Sequence, residues 1–277
     1  MTLILTCATR EYVIQASDRR VCFADGTIKD DDQGKAIFYC GRIAIAYTGV
    51  ADIEGDTARW LAGLLAKAPD IETGLDAIGA ATAAYFKQKQ LRIEHTVVAT
   101  GWAKRRGEPP EGMPFIAASS NTYGEYPYGF KTRINFVESG SAYIGYDFGQ
   151  RLRDDEKANL DLAVRTALKF KTAPGSIARA LADQIRAVSN GGGGRALWVS
   201  KRSIVQSLSR SALGAGGPLS GALLSGIGPD FHGCAYVAED GALDEWKTPW
   251  IACGGGVTTG GGQTLLPGKP SILRSGG

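Results

Sequence analysis

Residues 2–20 read Thr2-Leu3-Ile4-Leu5-Thr6-Cys7-Ala8-Thr9-Arg10-Glu11-Tyr12-Val13-Ile14-Gln15-Ala16-Ser17-Asp18-Arg19-Arg20. Two short β-rich runs, 2–8 and 12–17, flank the polar Thr9-Arg10-Glu11, which reads as a hairpin. A second strand pair follows: 36–40, opened by Lys35, and 43–48, closed by Gly49. Gly41 in the first of two turn positions predicts a tight type II′ connection. Both of these strands are apolar at nearly every residue, so their sheet is expected to be covered on both faces.

Helical spacing then takes over. Trp60, Leu61, Leu64 and Leu65 recur at helical intervals within 53–66, ahead of Pro69, and Leu75, Ile78, Ala81 and Tyr85 do so within 71–90. Strand-like runs return at 93–102, 114–119 and 133–137, separated by loops rich in Gly, Pro, Tyr and Asn. A second helical pair, 154–171 and 176–188, comes next, and 196–200 reads as one more strand. Helical pairs grouped apart from antiparallel hairpins predict an α+β fold rather than a parallel βαβ array. Two antiparallel sheets face to face, with a helical pair outside each, would bury the doubly apolar strands.

These elements define a domain over residues 1–200. Residues 201–277 read as a Gly-rich C-terminal extension: a polar, Ser-rich 203–211, a Gly/Ser/Leu-rich 214–228, and one hairpin from 232–238 and 243–246 about Asp240-Gly241. The last ~25 residues read as a flexible tail.

Bulk properties narrow the class. The chain has 277 residues, 44% hydrophobic and 21% charged, with a formal net charge of +3. That charge is too small to argue for a nucleic-acid or membrane partner. No uncharged apolar run approaches the ~18 residues of a membrane span, and the apolar start lacks the basic region of a signal peptide. Five scattered cysteines with no CxxC pair do not suggest a disulfide framework and fit a reducing cytoplasm. The expectation is a soluble cytoplasmic protein.

No metal or cofactor site is expected. Gly268-Lys269 is followed by Pro270 and lacks the first P-loop glycine, and Gly191–Gly194 follows a helix, the wrong side for a dinucleotide turn. His232-Gly233-Cys234 has only His95 as a second histidine, too few for a four-ligand zinc set. The acidic Asp30-Asp31-Asp32 reads as a solvated turn.

Thr2 is the candidate nucleophile. If Met1 is removed, Thr2 has both a hydroxyl and a free α-amine, and the amine can serve as base on the adjacent hydroxyl. Thr2, Asp18 within Ala16-Ser17-Asp18-Arg19-Arg20, Lys35, and Ala46-Tyr47-Thr48-Gly49-Val50-Ala51-Asp52 together resemble the proteasome β-subunits and their bacterial proteasome-like relatives. Those are N-terminal-nucleophile threonine hydrolases. Glu138-Ser139-Gly140-Ser141 resembles the family's Gly-Ser-Gly turn, with Glu138 in place of the first Gly. Lys35 and Gly49 each fall one residue late, as one insertion near Asp30-Asp31-Asp32 would produce.

The resemblance covers residues 2–200 and implies a four-layer αββα sandwich. It implies Thr2 as nucleophile, Asp18 and Lys35 as its charged partners, Ser139 near the amine, and the Gly49 N–H as oxyanion donor. It further implies a peptide or unfolded-polypeptide substrate, a homo-oligomeric ring, and an unfoldase ATPase as a candidate partner. The stretch Ala187-Val188-Ser189-Asn190-Gly191-Gly192 lacks the family's Asp, leaving Ser189 or Asn190 as polar substitutes. Two alternatives stand beside the peptidase: a non-catalytic structural or binding subunit, and a small-molecule amidase.

Overall fold

The computed structural model describes residues 2–23, 26–40, 42–103, 113–136, 144–170, 174–209, 232–239, 242–246, 250–253 and 256–259. The first hairpin forms as its polar connection dictates. β1 (Leu3–Ala8) and β2 (Tyr12–Asp18) pair antiparallel from Ile4↔Ser17 to Ala8↔Val13. Thr9 closes the turn: its hydroxyl donates to the Tyr12 carbonyl and accepts from the Tyr12 N–H. A short ribbon of β3 (Val21–Cys22) and β4 (Ile28–Asp30) leads on to β5 (Ile37–Tyr39) and β6 (Ile43–Thr48).

The β5–β6 turn differs from the two-residue expectation. Tyr39 pairs with Ile43, so three residues lie between the strands, and Cys40 takes a positive φ of 47°. Gly41 lies outside the described residues.

Helices α1 (Thr57–Ala66) and α2 (Ile71–Lys89) follow. Asp56 and Asp70 cap them by accepting backbone N–H groups of the first turn. Next come β7 (Thr96–Ala103), β8 (Met113–Ser120), β9 (Lys131–Phe136), β10 (Ile144–Gly149), α3 (Asp154–Lys169) and α4 (Gly175–Asn190). The chain ends with β11 (Ser203–Ser209), β12 (His232–Glu239), β13 (Ala242–Trp246), β14 (Trp250–Cys253) and β15 (Gly256–Thr259).

Thus the chain is α+β, with two large sheets and four helices among the described residues. One sheet has the order β10-β1-β2-β11-β12-β13, the other β15-β14-β5-β6-β7-β8-β9. All pairings in them are antiparallel except β14 with β5. Both sheets run past residue 200: β11 lies against β2 along its whole length, and β14 against β5. Residues 196–200, which read as a strand, form a turn with Leu197 exposed. β10 had no counterpart in the sequence reading.

Three buried clusters hold these elements. Period-two alternation splits the doubly apolar strands between them. Ile43, Ile45 and Tyr47 pack with Leu61, Leu65, Leu75 and Ile78 of α1 and α2. Leu3, Leu5 and Ile14 pack with Val164, Ile177, Leu181 and Ile185 of α3 and α4. The opposite faces, Ile4, Ala8 and Val13 from one sheet and Phe38, Ala44, Ala46 and Val98 from the other, meet in the third. Two glutamines, neighbours in the β2–β11 register, cross this third cluster. Gln15 Nε2 donates to the Val98 carbonyl and to Thr100 Oγ1, and Gln206 Nε2 donates to the Ile37 carbonyl.

Candidate active site

The β1–β2 hairpin carries Asp18 back to the start of β1. There the Leu3 N–H donates to Asp18 Oδ2 at 2.7 Å. Asp18 Oδ1 accepts from the Arg20 N–H at 2.9 Å and from the Ser200 N–H at 3.3 Å. The last of these comes from the turn that the sequence reading made a strand. Three amide donors are the polar environment a fully buried carboxylate needs.

Lys35 approaches from the other sheet. Its Nζ donates to Thr2 Oγ1 at 2.6 Å and to the Arg20 carbonyl at 2.8 Å, and it lies 3.9 Å from Asp18 Oδ1. Thr2, Asp18 and Lys35 are all buried. Burial pulls the Lys35 ammonium below the ordinary lysine range, and Asp18 opposes that shift. Burial likewise pushes the Asp18 carboxyl up, against the pull of Lys35 and the three amides. For each group the largest influence opposing burial is the other one.

The acidic run, read as a solvated turn, stays largely exposed, and two of its carboxylates also pair. Asp31 holds the Arg20 guanidinium through two bonds of 2.9 and 3.1 Å, and Asp32 meets Arg19 and Arg202. These pairs fix the strand end that carries Asp18 and the loop that carries Lys35.

On its other side Thr2 is held by its own backbone. The Thr2 N donates to Thr48 Oγ1 at 3.0 Å, and the Thr48 hydroxyl donates to the Thr2 carbonyl at 3.3 Å. That carbonyl also accepts the Gln150 N–H at 3.1 Å. Gly149, at φ +76°, passes so close that a Cβ there would lie 2.0 Å from the Thr2 oxygen. Thr48 and Gly149 also line a cavity of about 250 Å³, together with Glu94, Phe148 and Arg151.

Gly49 follows Thr48 directly and sits at φ +111°, a conformation that favours glycine. A Cβ at Gly49 would lie 2.5 Å from the Glu94 carbonyl and 2.7 Å from His95 Nδ1. His95 Nδ1 accepts the Val50 N–H at 3.2 Å. Burial lowers the His95 pKa to about 4, so the ring is neutral at pH 7.

The structure therefore brings Thr2, Asp18 and Lys35 together and sets Gly49 one residue from a side chain bonded to Thr2. Ser139, with its Ser-Gly-Ser turn, lies outside the described residues. Ser189 does not reach Thr2: its hydroxyl donates to the Val199 carbonyl at 2.8 Å. Sequence reasoning missed the hydroxyl of Thr48, the amides of Ser200 and Gln150, and the ring of His95. Only the Thr48-Gly49 dipeptide, already noted as a strand end, carried a signal.

No protein-family model matches the chain, and no curated protein matches it. Among solved structures, it is similar to a mutant of Anbu from a Hyphomicrobium strain. That match has 13% identity and a TM-score of 0.47, over 74% of this chain and 80% of that one. Among the described residues, no helix is long and apolar enough to cross a membrane.

Proposed function

We propose that the chain is an N-terminal threonine amide hydrolase, a self-compartmentalising peptidase that acts on peptides or unfolded polypeptides once Met1 leaves Thr2. The observation that carries this reading is the Lys35 ammonium, buried and 2.6 Å from the Thr2 hydroxyl oxygen. A buried ammonium aimed at a hydroxyl stabilises the alkoxide over the alcohol. The three buried clusters support the finer fold reading, a four-layer αββα sandwich.

In this reading Thr2 Oγ1 attacks the scissile carbonyl while the Thr2 amine takes the hydroxyl proton. The carbonyl electrons move onto oxygen, where the Gly49 N–H donates; such a donor contributes ~10²–10³ in rate. The amine then passes its proton to the leaving nitrogen as the C–N bond breaks, leaving an ester on Thr2. Water, deprotonated by the same amine, releases the acid and restores the hydroxyl. Thr48 orders the amine: its proton is committed to the Thr2 carbonyl, so its oxygen can only accept an amine N–H. The amine lone pair stays available as base.

A ring of identical subunits would sequester such a nucleophile, and an unfoldase ATPase would supply unfolded chains. Intact mass, native mass and hydrolysis of a fluorogenic peptide panel test the reading. It predicts a chain starting at Thr2, a ring-sized particle, and no turnover in Thr2→Ala with the fold kept; equal turnover in that variant would sink it. A second reading, a non-catalytic subunit, is favoured by Ser189, which is turned to Val199 and leaves Thr48 as the amine's described side-chain partner. Retained Met1 with no hydrolysis would establish that one. Turnover of simple amides but not peptides would assign a small-molecule amidase.

A further inference from the structure

His95 sits in a box built to fix its ring. Asn121 clamps its backbone from both sides: the His95 N–H donates to Asn121 Oδ1 at 2.9 Å, and the Asn121 N–H donates to the His95 carbonyl at 3.3 Å. The rings of Tyr47, Phe86 and Phe130 surround the imidazole, with centroids 6.2, 5.7 and 6.3 Å away. The residue has no exposed surface.

One polar atom of the ring is used. Nδ1 accepts the Val50 N–H, which puts the neutral ring's proton on Nε2. Among the described residues Nε2 has no hydrogen-bond partner, although it is buried. An orphaned buried N–H costs stability, and an aliphatic side chain would fill an aromatic box without that cost. The box therefore keeps histidine for its Nδ1 acceptor.

That acceptor lies beside Gly49, whose φ is +111°. Gly49 and Val50 present two consecutive amides; the second is taken by His95, and the first has no hydrogen-bond partner among the described residues. We infer that His95 is a positioning residue for the Gly49–Val50 peptide, holding the Val50 N–H so that the Gly49 N–H alone is left for the oxyanion. The inference rests on the hydrolase reading and deepens it. His95 touches no reacting atom; it acts through the loop.

The experiment compares His95→Asn, His95→Gln and His95→Leu with wild type and Thr2→Ala, in the full chain, on the same fluorogenic peptide. Asn places an acceptor oxygen near the Nδ1 position, Gln places it near Nε2, and Leu has none. Asn should keep kcat within about threefold, while Gln and Leu should lose about 10²-fold, with KM within about twofold throughout. Equal losses in all three variants, or none in His95→Leu, would overturn the inference. If wild type and Thr2→Ala hydrolyse equally, the hydrolase reading fails instead. Nitrogen NMR of the two histidines, His95 assigned by the variants, decides the geometry regardless of activity. An unprotonated Nδ1 with a protonated Nε2 supports the inference, and a protonated Nδ1 ends it.

Discussion

The Lys35 ammonium and the Thr2 hydroxyl meet at 2.6 Å although Thr2 leads into β1 of one sheet and Lys35 into β5 of the other. The contact forms where the two sheets face each other, and Asp18 closes it from the β2 end at 3.9 Å.

Replacing Lys35 with Met keeps its length and removes the charge. Hydrolysis should fall by about 10³-fold or more, and the lone Asp18 carboxylate should cost ~3–5 kcal/mol of stability. Adding Asp18→Asn should recover part of the stability and none of the activity. Denaturant unfolding beside peptide turnover separates the two effects. Lys35→Arg should fail as well, since a planar fork does not fit a space shaped for a point charge.

Thr48→Val keeps the branched shape and loses the hydroxyl. In the hydrolase reading the protonated Thr2 amine then loses its described acceptor, so its pKa should drop below the usual ~8. The acid limb of the kcat/KM profile should move to lower pH while kcat falls about 10-fold. Thr48→Ser should restore both, and an unmoved limb in the Val variant would remove Thr48 from the amine.

Gly149→Ala places a methyl 2.0 Å from the Thr2 carbonyl at a φ of +76°. Strain and collision together should cost at least ~1–3 kcal/mol and displace Thr2. The melting temperature should fall and turnover should vanish. Gly63→Ala, where nothing lies within 4 Å, is the control that should do neither.

His95 couples the fold to pH. Burial lowers its pKa from 6.5 to about 4, so between those values the unfolded chain binds a proton that the native one excludes. Stability from this group is complete above pH ~6.5 and declines as pH falls toward ~4, by up to ~3 kcal/mol. His95→Asn should flatten that part of the wild-type profile in urea titrations at successive pH values. Parallel profiles for the two proteins would contradict the assignment.

What the sequence made legible was whatever depends on spacing. The β1–β2 hairpin and the two helical pairs follow from periodicity and turn chemistry, whereas the Thr2, Asp18 and Lys35 set rested on the family resemblance. What stayed hidden depends on distant partners. β11 looked like polar extension because Ser203, Gln206 and Ser207 interrupt its apolar pattern. Yet all three are buried, and Gln206 is satisfied by a carbonyl of the opposite sheet. Residues 196–200 misled in the other direction, with an apolar composition but an exposed Leu197 and the Ser200 amide needed at Asp18. Thr48 and His95 were legible as residues and illegible as contacts, since their partners lie 46 and 45 positions away.

Gln15 and Gln206 now take on a meaning beyond their own hydrogen bonds. Thr2 leads into one sheet and Lys35 into the other, so the distance between them measures how far one sheet has slid over its neighbour. Oily side chains alone resist such sliding weakly, because apolar contact is non-directional. Two adjacent amides, each reaching a fixed carbonyl across the gap, act as dowels between plates. On this view the alignment of Thr2 with Lys35 is set deep in the middle of the molecule, by two buried residues remote from both.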